Sequence, residues 1–322
     1  MKNDLTVIIL NYNGSEDTVG CLKSIDRQVT EYSFRTVVLD NDSRAEEYEK
    51  LYRFCKDRGD FSICDLNDLD IYSEKNKFLV RSPENYGFAR GNNEICKRFI
   101  NESLFFLLLN NDTEVEPDFL QTMLTFLKEE PTVKYASCRI NYYFDKSMLW
   151  NCGGYLTPWG NRHAYTEKEL APKGRVIETP YITGCALFLE AENFKKQGML
   201  TEDFFFGEED FNFSWRMKQK GVRGACLNKT LVYHKVSQSS NRSGLLVGKM
   251  AGYYLNRIID MHGFYGPFTW TVWKELLKLF VMYSCRRKGM SFKDIKAVIN
   301  TINMFEHQTK LTKEDCFAMR QF

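Results

Sequence analysis

Residues 104–112, LFFLLLNND, restrict the possible folds of this chain more than any other stretch. Six apolar residues in a row, Leu104 to Leu109, are too few to cross a bilayer. Their length and character suit a strand buried on both faces in the middle of a sheet. The run stops at Asn110-Asn111-Asp112-Thr113, and Pro117 follows at a position suited to opening a helix. In an open α/β sheet, ligands collect outside the carboxyl ends of the strands. A short turn rich in amides and carrying a carboxylate can hold a hydrated divalent cation there, because hard cations prefer oxygen ligands. Taken alone, the same turn reads equally well as a plain helix cap, so the neighbouring segments decide.

Those neighbours repeat the pattern. Residues 5–10 (LTVIIL) form a buried-strand run ending at Asn11-Tyr12-Asn13-Gly14, and a helix with Val19, Leu22, Ile25 and Val29 on one face follows. Residues 36–39 (TVVL) end at Asp40-Asn41-Asp42-Ser43, followed by a polar helix with Tyr48, Leu51 and Cys55 inward. Residues 59–77 are irregular and acidic and read as a surface insertion. Residues 78–81 are a short strand running into Asn85-Tyr86-Gly87-Phe88-Ala89-Arg90-Gly91-Asn92-Asn93, and a helix with Ile95, Cys96, Phe99 and Ile100 leads to residue 104. Such alternation of strand and helix predicts a mainly parallel, doubly wound α/β sheet. Every strand ends in a polar cluster, and four such clusters on one edge form the pattern of a binding crevice. Neither GxxxxGK[ST] nor GxGxxG occurs, which excludes a P-loop and a standard dinucleotide site.

Beyond residue 132 the alternation loosens. Residues 150–160 (WNCGGYLTPWG) read as a pocket-lining loop or a hairpin, and residues 184–189 as a strand. Residues 204–221 place Glu208, Glu209 and Asp210 at a helix start, with Phe211 and Trp215 on its buried face and Gly221 at its end. The helix dipole favours carboxylates there by roughly 0.3–1 kcal/mol, so the cluster is open to a purely structural reading as well. Residues 222–227 and 230–233 read as two short strands ending at His234. The expected organisation is an α/β unit over 1–245, in two halves (1–115 and 116–245), followed by a helical extension over 246–322. Within that extension, residues 268–284 are apolar but interrupted by Lys274, Glu275 and Lys278, which argues against a span, and Arg286-Arg287-Lys288 follow. An amphipathic helix over 268–288 suits either an anionic membrane surface or packing on the α/β unit.

Net charge is +2, from 44 basic and 42 acidic residues, so no bulk electrostatic argument points to nucleic acid. The ten cysteines show no CxxC pair or zinc-ligand spacing and read as reduced core thiols. The chain enters a strand at once, without the basic and apolar regions of a signal peptide, which gives a cytoplasmic expectation.

Eight segments in order carry a resemblance: VIILNYNG (7–14), CLKSI (21–25), VVLDNDS (37–43), ENYGFARGNN (84–93), LLLNNDTEV (107–115), TGCALFLE (183–190), GEEDFNFSWR (207–216) and VYHK (232–235). Over about residues 4–240 the chain resembles the inverting glycosyltransferases of family two with the GT-A fold, in particular the bacterial rhamnosyltransferase-like branch. The resemblance implies transfer of a sugar from a dTDP-, UDP- or GDP-sugar to a saccharide or lipid-linked saccharide acceptor, in surface polysaccharide biosynthesis, with 1–245 as the catalytic unit, 1–115 its nucleotide-binding half and 116–245 its acceptor half. It implies that Asn11, Tyr12, Asn13, Asp40 and Asn41 serve the nucleotide base, where a carboxylate can accept from a pyrimidine N3–H. Asn85, Gly87 and Arg90 would face the ribose and the donor region. Asp112 takes the last position of the family's DxD motif, with Asn110 and Asn111 in the first two, and would ligate Mg2+ or Mn2+ at the diphosphate. His234 matches a histidine that in some relatives binds metal or phosphate. Glu209 and Asp210 match the family's Glu-Asp pair, with Asp210 as general base, while the family's further aspartate is Asn212 here.

Two rival readings remain. A sugar nucleotidyltransferase would carry a GxGTR-type loop after the first strand, where this chain has NYNG. A non-catalytic sugar-nucleotide-binding homologue would account for Asn110, Asn111 and Asn212, but not for the retention of Asp112, Asp210 and His234 together.

Overall fold

The computed structural model describes residues 2–71, 75–157, 159–236 and 243–319. Its first half runs β1 (Asn3–Asn11), α1 (Ser15–Asp26), β2 (Phe34–Asp40), α2 (Ala45–Arg58), β3 (Phe61–Asp65), β4 (Lys77–Arg81), α3 (Gly87–Phe99) and β5 (Ser103–Asn110). Then come β6 (Thr113–Val115), α4 (Phe119–Glu129), β7 (Val133–Tyr142), β8 (Leu149–Asn151), β9 (Gly154–Leu156), β10 (Arg162–Ala164), α5 (Glu167–Leu170) and β11 (Val176–Glu178). β12 (Ala186–Glu190), α6 (Ala191–Lys196), α7 (Glu209–Gln219) and β13 (Arg223–His234) complete the sheet, and α8 (Ser243–His262), α9 (Pro267–Arg287), α10 (Phe292–Phe305) and α11 (Lys313–Met319) follow.

The sheet order is β11-β13-β7-β12-β5-β1-β2-β4-β3. The five strands β3, β4, β2, β1 and β5 are mutually parallel, and β12 enters antiparallel between β5 and β7. This is the mainly parallel α/β sheet that the alternation predicts. The apolar run is its centre, because β5 is buried on both faces. Phe105, Leu107 and Leu109 join one core beneath α1, α2 and α4, whereas Phe106 and Leu108 join the opposite core beneath α3, α6 and α7. The two-residue period of a strand sorts them. Leu104 is the exception, at 42% exposed. Because β1, β2, β4 and β5 are parallel and in register (Asn11 beside Asp40, Leu10 beside Asn110, Asp40 beside Arg81), their polar ends share one edge.

Several local expectations are corrected. Residues 59–77 contain an edge strand, β3, with Phe61 and Leu66 buried, so the segment is part of the sheet. α1 ends at Asp26, which leaves Val29 73% exposed. α3 starts at Gly87, so Arg90, Asn92 and Asn93 are helical. The two short strands after residue 221 are one 12-residue strand, β13, whose register shifts absorb the polar Asn228-Lys229 step. Residues 150–160, expected as a loop or a hairpin, contribute to the β9–β10 hairpin.

Phe213 and Met217 turn α7 toward the sheet, while Phe211 and Trp215 join a third core with α8, α9 and α10. α9 buries Trp273, Leu277, Val281 and Cys285 in that core. Its opposite face exposes Phe268, Val272, Leu276, Leu279, Phe280 and Tyr283, at helical spacing. Among the described residues no helix is long and apolar enough to cross a membrane.

Candidate active site

The four strand ends are tied to each other by their amides. Asn11, fully buried, donates from Nδ2 to Asp40 Oδ2 (2.7 Å) and Ser43 Oγ (3.2 Å), and its Oδ1 accepts from Thr18 Oγ1 (2.9 Å). Asp40 Oδ1 accepts from the Ser43 backbone N–H (3.1 Å). Asn41 donates to Asn85 Oδ1 (2.9 Å) and the Gly87 carbonyl (3.0 Å), and accepts from the Tyr86 N–H (2.9 Å). A buried amide is tolerated only when its donors and acceptor are paired, and both are. Gly87 has φ +72°, and a Cβ there would collide with the Phe205 carbonyl oxygen. The start of α3 therefore requires glycine to let the 205–206 segment approach.

The loops enclose a cavity of about 440 Å³ walled by Tyr12, Asn41, Asn85, Gly87 and Asn110 to Asp112 on the strand-end side. Phe88, Phe205, Phe206 and Phe317 close the other side. Not all of the sequence-derived donor residues reach it. Asn11 and Asp40 sit behind the wall, fully buried, and hold the first two loops together. Asn13, at φ +55°, accepts from the Arg44 N–H (2.9 Å). Arg90 lies on the Tyr86 ring (3.8 Å to the centroid) and pairs with Glu84 (3.0 Å). Asn111 faces the cavity but directs its Nδ2 to Thr18 Oγ1 (3.0 Å).

Antiparallel pairing of β6 with β13 sets Thr113 opposite His234, which brings Asp112 Oδ1 to 3.0 Å from His234 Nε2. The His234 ring packs edge-on against Trp150 (4.3 Å between centroids), and its buried Nδ1 has no hydrogen-bond partner among the described residues. No group of three or more His, Cys, Asp or Glu side chains able to hold a metal occurs among those residues. One carboxylate with one imidazole beside this cavity nevertheless fits a Mg2+ or Mn2+ that takes its remaining ligands from phosphate oxygens and water, as such ions commonly do.

The acid cluster splits into three environments. Asp210 accepts from Arg162 Nη1 (3.2 Å), the Tyr181 hydroxyl (3.0 Å) and the Gly184 N–H (3.2 Å). Gly184 is the spacer between Asp210 and the cavity wall, since a Cβ there would lie 3.3 Å from the Phe88 ring and 3.7 Å from Asp210 Cβ. Glu209 is buried, accepts from the Gly207 N–H (2.8 Å), and is pushed up by burial to about 8. Glu208 forms a buried pair with Arg257 (2.8 Å). Asn212, at the family's further aspartate position, donates to Asp260 Oδ1 (2.5 Å). Arg162, Tyr181 and Arg257 escape sequence reasoning because their partners are at least 29 residues away. The one signal concerns Arg162, an arginine inside a glycine- and aromatic-rich hairpin.

A family model described as glycosyl transferase family 2 matches residues 6–191. Similar solved structures include GalNAc-T7 with UDP, GalNAc and Mn2+, at TM-score 0.61 and 16% identity, covering 81% of this chain and 48% of that one. This chain thus spans about half the length of that structure. A mannosyltransferase, PcManGT from Pyrobaculum calidifontis in complex with GDP-Man and Mn2+, aligns at TM-score 0.56 and 15% identity, over 100% of this chain and 85% of that one. S. aureus TarS 1–349 in complex with UDP-GlcNAc aligns at TM-score 0.56 and 13% identity, over 100% and 88%. At these identities the likeness is one of fold. A search of curated proteins by sequence gives no match.

Burial of Glu209 has a consequence for stability. A carboxyl raised from 4.5 to about 8 keeps its proton in the folded chain after the unfolded chain has lost it. Its contribution is full below pH 4.5 and is lost as pH rises toward 8. Asp260, raised by burial from 3.8 to about 8, acts in the same sense. Glu209→Gln keeps an oxygen for the Gly207 N–H and removes one titration. In urea unfolding it is expected to lose stability less steeply than wild type between pH 4.5 and 8. Equal slopes in the two proteins would contradict a buried neutral Glu209.

Proposed function

The chain belongs to glycosyl transferase family 2, and from that premise we propose that it transfers a sugar with inversion from a nucleotide-diphosphate sugar to a saccharide or lipid-linked saccharide acceptor, in building a surface polysaccharide. The observation that carries this reading is Asp210, a carboxylate held by three donors beside Gly184, which itself lies against Phe88, a wall residue of the strand-end cavity. In the reaction the acceptor hydroxyl oxygen attacks the anomeric carbon in line with the departing diphosphate. Its proton passes to Asp210, the new glycosidic bond forms, the bond to the diphosphate oxygen breaks, and the anomeric configuration inverts. Tyr12, Asn41 and Asn85 would contact the nucleoside, with Asn11 and Asp40 fixing their loops and Asn13 and Arg90 bracing them from outside the cavity. The phenylalanines opposite would keep water from the anomeric carbon. Asp112 and His234 would hold Mg2+ or Mn2+, which when bound neutralises charge building on the diphosphate. Among the similar structures UDP, GDP-Man and UDP-GlcNAc are the bound nucleotides, which supports a UDP- or GDP-hexose as donor, and the motif resemblance adds dTDP-sugars and deoxyhexoses to the candidates.

The same reading places the enzyme at the inner face of the plasma membrane. Support comes from the outer face of α9, where the exposed apolar stripe ends in exposed Arg286 and Arg287, with Lys288 next in sequence. Aromatic and aliphatic side chains next to a basic cluster complement an anionic bilayer surface, where each basic residue adds about 1 kcal/mol that salt screens.

Two experiments test these points. Losing a positioned base typically costs ~10²–10⁴-fold in rate. Asp210→Asn is therefore expected to bind donor like wild type while transfer falls by that range, and Glu209→Gln is expected to be milder. Transfer retained by Asp210→Asn and abolished by Glu209→Gln would move the base to Glu209, and transfer retained by both would leave the cluster as a helix terminus. In co-sedimentation with phosphatidylglycerol vesicles, wild type is expected to pellet in a salt-sensitive way and the triple variant Leu276→Ser, Leu279→Ser, Phe280→Ser to stay in solution. Equal pelleting of the two would contradict the membrane contact.

A further inference from the structure

Helix α8 grips the acid cluster and its flanks at three points on one helical face. Asn256 Nδ2 donates to the Phe206 carbonyl (2.9 Å), Arg257 binds Glu208, and Asp260 accepts from Asn212. Positions 256, 257 and 260 are neighbours across one turn. Arg257 does more than its neighbours. Its Nε and Nη2 reach the two Glu208 oxygens (2.9 and 3.0 Å), and the guanidinium stacks on Phe211 (3.8 Å to the ring centroid). Its Nη1 donates to the Gly160 carbonyl and to Asn161 Oδ1 (3.2 Å). The next residue of that hairpin is Arg162, which donates to Asp210. From the far side α9 holds the hairpin as well, through Trp273 Nε1 donating to the Trp159 carbonyl (3.0 Å).

One guanidinium thus fastens two segments that both lead to Asp210: residue 208, two positions before it, and residues 160–161, immediately before its partner Arg162. Both side chains of the Glu208–Arg257 pair are 1% exposed. A buried ion pair is poor evidence of a stability role, because well-packed apolar groups stabilise as well or better. Glu208 also has a left-handed backbone, φ +69°, which a non-glycine residue adopts at a cost. A pair that is no better than apolar packing, at a strained residue beside the acid cluster, is explained by placement. Only the planar fork of arginine can serve a carboxylate and a second backbone segment together.

We infer that Arg257, with Glu208, is a positioning residue for transfer: the helical extension, through α8, completes the active site by fixing the Asp210 carboxylate and its Arg162 partner. The inference rests on the reading of Asp210 as the base. The test compares full-length Asp210→Asn, Arg257→Lys and the double variant Glu208→Gln/Arg257→Met, which leaves no buried charge unpaired. Binding of UDP, dTDP and GDP is read by calorimetry, folding by thermal unfolding, and turnover by nucleoside diphosphate release from the donor that wild type uses. The double variant is expected to fold, to bind nucleotide like wild type, and to lose at least tenfold in kcat with donor KM unchanged. Arg257→Lys, which keeps the charge but not the fork, is expected to fall in between. A double variant within twofold of wild type in kcat overturns the inference. So does a loss of folding or nucleotide binding in parallel with kcat in both variants, which makes Arg257 structural. If Asp210→Asn is active, the assignment of the base fails instead. If Asp210→Asn is dead and the double variant active, the positioning role alone fails.

Discussion

At the carboxyl end of β5 the sheet changes direction. β5 pairs in parallel with β1 on one side and antiparallel with β12 on the other, and it is held there by burial on both faces. Because β12 runs the opposite way, its first residues lie where β5 ends, and the Asn110 N–H donates to the Cys185 carbonyl (2.8 Å). Gly184 is therefore adjacent to the Asn110-Asn111-Asp112 turn, and the carboxylate behind Gly184 is Asp210. The end of β5 thus has one carboxylate, paired with His234, in its own turn and another, held by Arg162 and Tyr181, beside Gly184. The direction change brings these two chemistries together at one edge.

The three acids of the 208–210 cluster show how environment divides adjacent, similar groups into separate tasks. Glu208 is neutralised by a buried guanidinium, Glu209 is driven toward its protonated form by burial, and Asp210 is oriented by three donors at the cavity edge. Helix-dipole attraction alone would treat the three alike, as exposed charges at a helix start. Family membership and the shared fold of the similar structures concern the sheet, and the acid cluster beside the strand ends supplies the proposed proton acceptor.

The parallel half was legible in the sequence because each strand is an apolar run closed by a polar cluster, and the sheet carries both signals to one edge. β3 was hidden because only the first of its five residues is buried, at a sheet edge, and it lies in an acidic stretch. β13 read as two pieces because Asn228 and Lys229 mark a bulge, which looks the same in sequence as a break. Residue type found the site's amides and carboxylates but not which way they point. Asn11 and Asp40 face inward because each finds partners behind the cavity wall. Tyr181 and Arg257 were invisible because the β11–β12 connection and α8 meet the acid cluster only in three dimensions, while for Arg162 the glycine- and aromatic-rich hairpin was the one local cue.

The central claim is that the strand-end edge binds a nucleotide-diphosphate sugar at Asp112 and His234. Calorimetric titration of UDP-, dTDP- and GDP-sugars, each with and without Mn2+, into wild type and Asp112→Asn tests it most directly. The account requires one of these donors to bind wild type more tightly with Mn2+, and Asp112→Asn, with no charged ligand left in that turn, to lose the metal dependence. Binding in Asp112→Asn that remains as Mn2+-dependent as in wild type would contradict it.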